Sequence, residues 1–414
     1  MRAPQILDFR STTVSAFDLA RILILADIVA ISFSPALVNF LEFLLIIVVL
    51  GSKPLRTKIW EVCKCTMSLW FLFAFVGWVI LATSWGDAPV GDRLHEVISW
   101  RKLLLFPVVL ALGTDSFRKH MLVTISLTGV SFAVTVWLIS VGIGWHGLYP
   151  LMRSDVVQTI YFALSALSLT VLLAVYGDSM HRFGKIAILI AISFLLVTVL
   201  NSTGRSGYLF LLVGCCCFSI FIIKTNRLIW IPAIVLSLLG CLVLFEAPFK
   251  EIKLGIDEVN AVIDPTQDPE ISSMGVRVVM WDHTIQMIKN KPFLGSGAGS
   301  FEVDYKKVAE SRSFGWRAER SSDPHQQYLH VAAEYGLVGL VLLGLFLMSL
   351  VYRVDLNWFT LFGFSVLAGF CATSFFNGHL SSLVEGRMFW ILVPLYLVSR
   401  ARGSLPSALE VVKK

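Results

Sequence analysis

Long apolar runs recur along almost the whole sequence, and they constrain the fold more than any other feature. A helix that spans a bilayer needs roughly 20 predominantly apolar residues. Only 15% of the residues are charged, whereas soluble domains carry about 25% charged residues. We therefore predict an all-α polytopic membrane protein with about twelve transmembrane helices. The predicted spans cover residues 17–34, 36–51, 66–84, 102–114, 121–143, 158–176, 185–200, 207–223, 228–246, 327–351, 357–376 and 387–400.

Lysines and arginines in the short connections indicate the orientation, because such residues concentrate in cytoplasmic loops. With the N-terminus inside, every even-numbered connection lies on the basic side. The basic groups are Lys53, Arg56, Lys58, Lys64, Arg118, Lys119, Arg182, Lys185, Lys224, Arg227, Arg353, Arg400, Arg402, Lys413 and Lys414. This pattern predicts a multi-pass membrane protein with cytoplasmic N- and C-termini. The net charge of +6 does not indicate a nucleic-acid partner, because the basic residues lie in these short loops.

One long polar interval, from Phe245 to Gly339, interrupts the apolar runs. We predict that residues 1–414 form a single integral-membrane domain. Residues 247–325 form a large periplasmic loop between the ninth and tenth helices and carry active-site elements. The outward-facing segments contain Arg93, Arg101, Arg153, Arg205, Arg277, Arg312, Arg317, Arg320 and Arg387. Basic residues are disfavoured on that side, so an anionic ligand is the simplest explanation, and arginine suits bidentate contact with phosphate.

Two of these arginines are the main candidates for binding a phosphate group. Arg205 lies in Asn201–Gly207, a tight turn whose small residues let a ligand approach the backbone closely. Arg277 lies near the start of a predicted interfacial helix. The other candidates are Arg101, Arg153 and Arg320. An interfacial or solvated position is the competing interpretation for each of these three.

The segment Ser322–Leu329 is typical of a helix start. Asp323 can cap the free backbone N–H groups, and Pro324 suits the first helical position. His325 then lies in the first turn, where the positive end of the helix dipole favours a neutral imidazole that can accept a proton. We therefore predict that His325 is a catalytic base. The alternative is that His325 only extends the cap or hydrogen-bonds the loop.

The sequence predicts neither a cofactor nor a metal site. It contains no Asp-x-Asp motif, and its seven cysteines all fall in or beside predicted spans. The glycine-rich stretch Gly295–Ser300 lacks the preceding strand that a phosphate-binding loop requires, so a flexible turn is expected there. His330 and Glu334 lie four residues apart on one helix face. A structural pair is the default interpretation of these two residues, and a functional role is the alternative.

Several short motifs, in their order and spacing, resemble the O-antigen ligase family, within the O-antigen ligase/polymerase superfamily. They are Thr203–Ser206, Gly275–Trp281, Pro292–Gly297, Asp323–Leu329 and Ala333–Gly339. The resemblance covers nearly the whole chain and implies a GT-C-type membrane glycosyltransferase. Such ligases transfer O-antigen polysaccharide from undecaprenyl diphosphate to lipid A–core oligosaccharide on the periplasmic face of the Gram-negative inner membrane. By this resemblance Arg205, Arg277 and His325 take the family's essential positions.

The chemistry of these residues agrees with the resemblance. The donor leaves as a lipid diphosphate, and positioned guanidinium groups can stabilise its growing negative charge without a metal. An imidazole can accept the proton of the acceptor hydroxyl, and direct displacement inverts the anomeric configuration. An O-antigen polymerase or a protein O-oligosaccharyltransferase would use the same donor with a different acceptor. A lipid-linked sugar flippase is the third alternative, although the sequence lacks the internal repeats common in transporters.

Overall fold

The computed structural model describes residues 15–143, 155–224, 246–263, 271–352 and 356–394. Helices make up 82% of it, and the described residues contain no strand. The predicted all-α class is therefore confirmed. Arg153, most of the predicted span 228–246 and the second part of the predicted span 387–400 lie outside the described residues.

The described helices fall into an apolar group, a polar group and a second apolar group along the chain. The first group comprises α1 (Ala16–Ala30), α2 (Pro35–Gly51), α3 (Lys53–Cys65), α4 (Met67–Leu81), α5 (Val90–Ser99), α6 (Leu105–Leu112), α7 (Asp115–Ser140), α8 (Asp155–Tyr176), α9 (Arg182–Leu200) and α10 (Arg205–Lys224). The polar group comprises α11 (Glu246–Ile263), α12 (Ser273–Asn290) and α13 (Phe301–Arg312). The last group comprises α14 (Gln327–Val351), α15 (Trp358–Thr373) and α16 (Val384–Leu392). Short 3₁₀ turns cover Ala82–Ser84, Trp100–Leu104, Gly177–Ser179 and Gly315–Ala318.

Five described stretches are long and apolar enough to cross a membrane. They are Met67–Ser84, Asp115–Ser140, Val156–Ser179, Arg182–Leu200 and Gln327–Val351. The helices α2 and α3 form a sixth candidate if they are one span bent by 94°. The chain is therefore a membrane protein with five or six candidate spans among its described residues, and the number twelve stays a prediction.

The predicted span 102–114 differs from the structure. Its residues form the 3₁₀ turn Trp100–Leu104 followed by α6, which is only eight residues long. Lys102 is 4% exposed, and its Nζ donates to the backbone carbonyls of Ser381 and Ser382. A buried ammonium group needs such polar partners. The contact of Lys102 with these two carbonyls therefore favours a turn at residues 100–104 over one continuous apolar helix.

Helix α8 lies inside the apolar core, where it packs against α7, α9 and α10. Helix α10 also packs on α15, and α4 packs on α14. Helix α9, by contrast, leaves large apolar side chains exposed, for example Phe183 at 77% and Ile190 at 64%. Such a surface is expected where a helix faces lipid rather than water or protein.

The long polar interval folds largely into helices. Helices α12 and α13 join α14 through a second, smaller apolar cluster, which consists of Met287, Phe301, Tyr305, Val308, Ala309 and Ala333. Because the segment that carries His325 directly precedes α14, this cluster fixes the polar helices next to that segment.

The glycine-rich stretch is a close backbone contact with α14. The backbone N–H groups of Ser296 and Gly297 donate to the carbonyls of Ala333 (2.8 Å) and Glu334 (2.9 Å). Helix α14 breaks at Gly336, which has φ 66° and ψ −171°. A Cβ atom at Gly336 would lie 2.0 Å from the carbonyl oxygen of Phe293, so only glycine fits. The expected flexible turn is therefore a tightly packed junction.

Candidate active site

Arg205 is the first residue of α10, directly after the small-residue turn predicted from the sequence. The next residue, Ser206, accepts a hydrogen bond at its Oγ from Asn377 Nδ2 at 3.2 Å. Asn377 belongs to the connection between α15 and α16, so this connection contacts the start of α10. The Arg205 side chain is 28% exposed, so it is partly accessible to solvent.

Arg277 lies near the N-terminus of α12 and is half-buried. Ser272 caps this helix, since its Oγ accepts from the N–H of Gly275 at 3.1 Å. Burial lowers the pKa of Arg277, and the neighbouring charge of Arg205 lowers it further, whereas Glu258 and Asp323 raise it. Arg205 Nη1 and the Met274 side chain both lie beside Gly255 of α11, and Arg277 Nη1 lies 3.7 Å from Met274 Sδ. The two arginines therefore lie near each other, and their shared binding of a phosphate stays a prediction.

Glu258 of α11 is the carboxylate that connects these elements. Its Oε2 lies 3.9 Å from Arg205 Nη1 and accepts from the backbone N–H of Met274 at 2.9 Å. Glu258 thus holds α11 against the N-terminus of α12 and partly balances the two guanidinium groups. Nothing in the spacing of the α11 residues marks this acid, and the sequence analysis missed it.

The predicted helix start at Asp323 is wrong. Helix α14 begins at Gln327, and its N-cap is Gln326, whose side-chain oxygen accepts from the N–H of Leu329. His325 precedes the helix and has φ 51°, which is the left-handed region of backbone conformation. Asp323 Oδ1 accepts from the N–H of His325 at 2.7 Å, so the carboxylate closes a tight turn instead of capping a helix.

Contacts on two sides hold the His325 segment in this conformation. On one side, Trp281 Nε1 of α12 donates to the carbonyl of Pro324 at 3.0 Å. On the other side, the N–H of Gln327 donates to the carbonyl of Ser374 at 2.9 Å, and Gln327 Oε1 accepts from the N–H of Ser381 at 3.1 Å. These anchors keep Pro324 and His325 outside α14, which explains why the predicted cap does not form. The His325 side chain is exposed.

Asp323 connects His325 to a second histidine. Its Oδ1 lies 3.8 Å from Nδ1 of His330. The same oxygen therefore faces both the His325 turn and the first part of α14. Burial alone would raise the pKa of Asp323, but His330 and His325 lower it to about 2. Asp323 is therefore a carboxylate at neutral pH, and it adds negative charge next to Arg277.

Two of the remaining predicted arginines occupy different surroundings. Arg101 lies in the 3₁₀ turn after α5, where its Nη2 donates to Asn39 Oδ1 at 2.6 Å and its Nε lies 3.2 Å from the Glu42 carboxylate. Glu42 also pairs with Arg387, which is fully buried and contacts Asp27. Arg320 is exposed just after the 3₁₀ turn Gly315–Ala318. Neither Arg101 nor Arg320 joins the contacts of Arg205, Arg277 and Glu258 described above.

A buried polar cluster lies behind the His325 segment. One oxygen each of Glu96 and Glu334 and one ring nitrogen of His330 lie within 4.8 Å of one another. Glu96 belongs to α5, and its Oε1 accepts from Tyr335 Oη at 2.8 Å and from Trp100 Nε1 at 2.9 Å. Burial and the Glu334 carboxylate raise the pKa of Glu96. The predicted proximity of His330 and Glu334 is confirmed, but spacing could not predict Glu96, which comes from a distant helix.

Two comparisons with known proteins bear on the family of this chain. Residues 186–344 match a family model described as O-antigen ligase, a range that contains Arg205, Glu258, Arg277 and His325. An uncharacterized protein of Haemophilus influenzae is 24% identical over 276 residues, which cover 63% of this chain and 66% of that protein. The family match confirms the resemblance of the sequence motifs. Residues 186–344 of this chain are therefore similar to the O-antigen ligase family.

Proposed function

We propose that this protein is an O-antigen ligase of GT-C type. It transfers O-antigen polysaccharide from undecaprenyl diphosphate to lipid A–core oligosaccharide on the periplasmic face of the inner membrane. One observation carries the proposal: Arg205 and Arg277 lie near the same side chain, Met274, on a helix whose Trp281 binds the His325 segment, within the range that matches the family. A single integral-membrane domain with cytoplasmic termini and a periplasmic 247–325 region completes the proposed arrangement.

The two arginines bind the diphosphate of the donor in this proposal. The bond between the anomeric carbon and the phosphate oxygen breaks, and both electrons stay on the leaving diphosphate. Guanidinium groups that already face this position stabilise the new charge without reorganisation. Glu258, 3.9 Å from Arg205, holds the guanidinium in place before the donor arrives, and the phosphate then takes over part of that role.

His325 accepts the proton of the acceptor hydroxyl. The oxygen attacks the anomeric carbon from the side opposite the leaving group, so the configuration inverts. The exposed ring can reach an acceptor that approaches from outside the membrane. The helix-dipole argument from the sequence does not apply, because His325 precedes the helix. Proton acceptance by a positioned imidazole contributes roughly 10²–10⁴-fold to a rate.

The identity of the acceptor distinguishes an O-antigen ligase from the alternative enzymes. An O-antigen polymerase and a protein O-oligosaccharyltransferase would use the same donor, and the described contacts favour neither of them over the ligase. The test is purified protein with undecaprenyl-diphosphate-linked O-antigen, offered lipid A–core, free lipid-linked glycan or an acceptor peptide in parallel. Product on lipid A–core alone supports the ligase. Chain extension of the donor without transfer to lipid A–core would contradict it.

A further inference from the structure

Three ligand-bearing side chains meet between two helices that are far apart in the sequence. Glu96 comes from α5, and His330 and Glu334 come from adjacent turns of α14. Their nearest oxygen and nitrogen atoms lie within 4.8 Å of one another. This donor set contains one imidazole nitrogen and two carboxylate oxygens, and it takes no part in the transfer chemistry proposed above.

One buried carboxylate oxygen of this cluster makes no hydrogen bond. Glu334 is 1% exposed, and its Oε1 accepts from the N–H of Phe301 at 3.1 Å. Its Oε2 has no hydrogen-bond partner among the described residues, and the nearest ring nitrogen of His330 is 3.7 Å away. Leaving a buried carboxylate oxygen without a partner is costly, so this atom indicates that a ligand completes the cluster.

The surrounding contacts hold the three side chains as metal ligands are usually held. Metal-binding histidines commonly direct their second ring nitrogen to a carboxylate, and ligating carboxylates are themselves hydrogen-bonded. Here Asp323 lies 3.8 Å from His330 Nδ1, while His330 Nε2 faces Glu334. Glu96 is held by Tyr335 Oη and Trp100 Nε1 at its Oε1. Outer hydrogen bonds therefore fix the directions of Glu96 and Glu334, whereas His330 faces a carboxylate at each ring nitrogen beyond hydrogen-bond distance.

We propose that Glu96, His330 and Glu334 bind a divalent cation of the Zn²⁺ or Mn²⁺ class. Mixed nitrogen and oxygen ligands suit these ions, whereas Mg²⁺ and Ca²⁺ prefer sites built from oxygen alone. The imidazole releases its proton when the cation binds, and two carboxylates and a neutral imidazole then balance the charge of the divalent cation. The ion joins α5 to α14, and it borders the His325 segment through the contact between His330 and Asp323.

The distances are compatible with this ion after a small movement. Ligand atoms of a tetrahedral Zn²⁺ site lie about 3.4 Å apart, given bonds of about 2.0–2.2 Å. The separation of 3.7 Å between His330 and Glu334 is close to this value. The third ligand atom, on Glu96, lies within 4.8 Å of the other two and needs to move by no more than about 1.6 Å.

The test measures bound metal, so its result does not depend on the ligase assay. Tag-free full-length protein is treated with chelator, incubated with Zn²⁺ or Mn²⁺ and desalted, and its metal content is determined by mass spectrometry. Wild type is compared with Glu334→Gln and Glu96→Gln, which keep the side-chain shape. Glu310→Gln is the matched control, because Glu310 is 58% exposed and pairs only with Lys306 in the described contacts.

Wild type and the control should retain about one cation per chain, and affinity should fall at least about tenfold in either cluster variant. The added cation should also raise the thermal transition of the wild type and the control but not that of the cluster variants. Equal metal content in all four proteins would show surface binding only. No retained Zn²⁺ or Mn²⁺ in folded wild type would show that Glu334 and His330 share a proton instead. Either of these last two results overturns the proposal.

Discussion

Replacing Arg277 with alanine tests how the site stabilises negative charge. The side chain is half-buried beside Arg205, within the influence of Glu258 and Asp323. A hydrogen bond to a charged group contributes about 1.5–3 kcal/mol. Since about 1.4 kcal/mol corresponds to a factor of ten, kcat/KM for the lipid-linked donor should fall about 10- to 150-fold. If the contact strengthens in the transition state, most of this loss falls on kcat.

Two further variants separate the charge of Arg277 from its shape. Arg277→Lys should recover only part of the rate, because lysine supplies positive charge without the planar fork that binds two phosphate oxygens. Arg205→Ala should give a loss of the same order, and the double variant should lose less than the sum of the two free energies. Residues that act on one group are coupled in this way, and both arginines would contact the same diphosphate.

The assay is transfer by purified protein at several donor concentrations, with the thermal transition of each variant recorded in parallel. Arg312→Ala is the matched control, because Arg312 is 45% exposed and makes an ion pair of 3.6 Å with Asp282, an exposed residue of the same polar region. The control should keep wild-type kcat/KM. Wild-type kinetics in both folded alanine variants at positions 205 and 277 would refute the assignment of the diphosphate site.

Four other outcomes are expected. Folded His325→Gln should lose transfer while donor binding persists; robust turnover would remove His325 from the mechanism. In a cysteine-free background, Ser311→Cys should react with an impermeant thiol reagent in spheroplasts and Ser179→Cys should not, and the reverse pattern would invert the proposed topology. Gly336→Ala should lower the free energy of unfolding by more than about 2 kcal/mol, which a thermal unfolding curve would detect. Gly344→Ala, where a Cβ meets nothing within 4 Å, should leave it nearly unchanged. Brief EDTA treatment should leave transfer unchanged, because the arginines stabilise the diphosphate. An immediate loss of transfer that Mg²⁺ restores would contradict this and place a metal at the diphosphate.

The sequence was sufficient to predict the all-α class and the pairing of His330 with Glu334. Charge on the disfavoured side of a membrane protein is informative, because each such residue needs a reason to be there. The sequence was insufficient for Glu258 and Glu96, which become relevant only when α11 meets α12 and α5 meets α14. No spacing rule applies to side chains that belong to different helices. The same limit explains Arg101, whose partners Asn39 and Glu42 lie on α2.

Local rules failed at His325 because tertiary contacts prevailed over helix-start preferences. Asp and Pro ahead of an apolar run usually begin a helix, yet the carbonyl of Pro324 is bound by Trp281 and the N–H of Gln327 is bound by Ser374. His325 is held at φ 51°. A non-glycine residue in that region costs on the order of 1–3 kcal/mol, and such strain concentrates at functional sites. The surrounding contacts offset this cost and keep an exposed imidazole ahead of the helix. A histidine that only extended a cap would not need that conformation, so the failed prediction of the helix start itself supports the proposed role of His325 as the base.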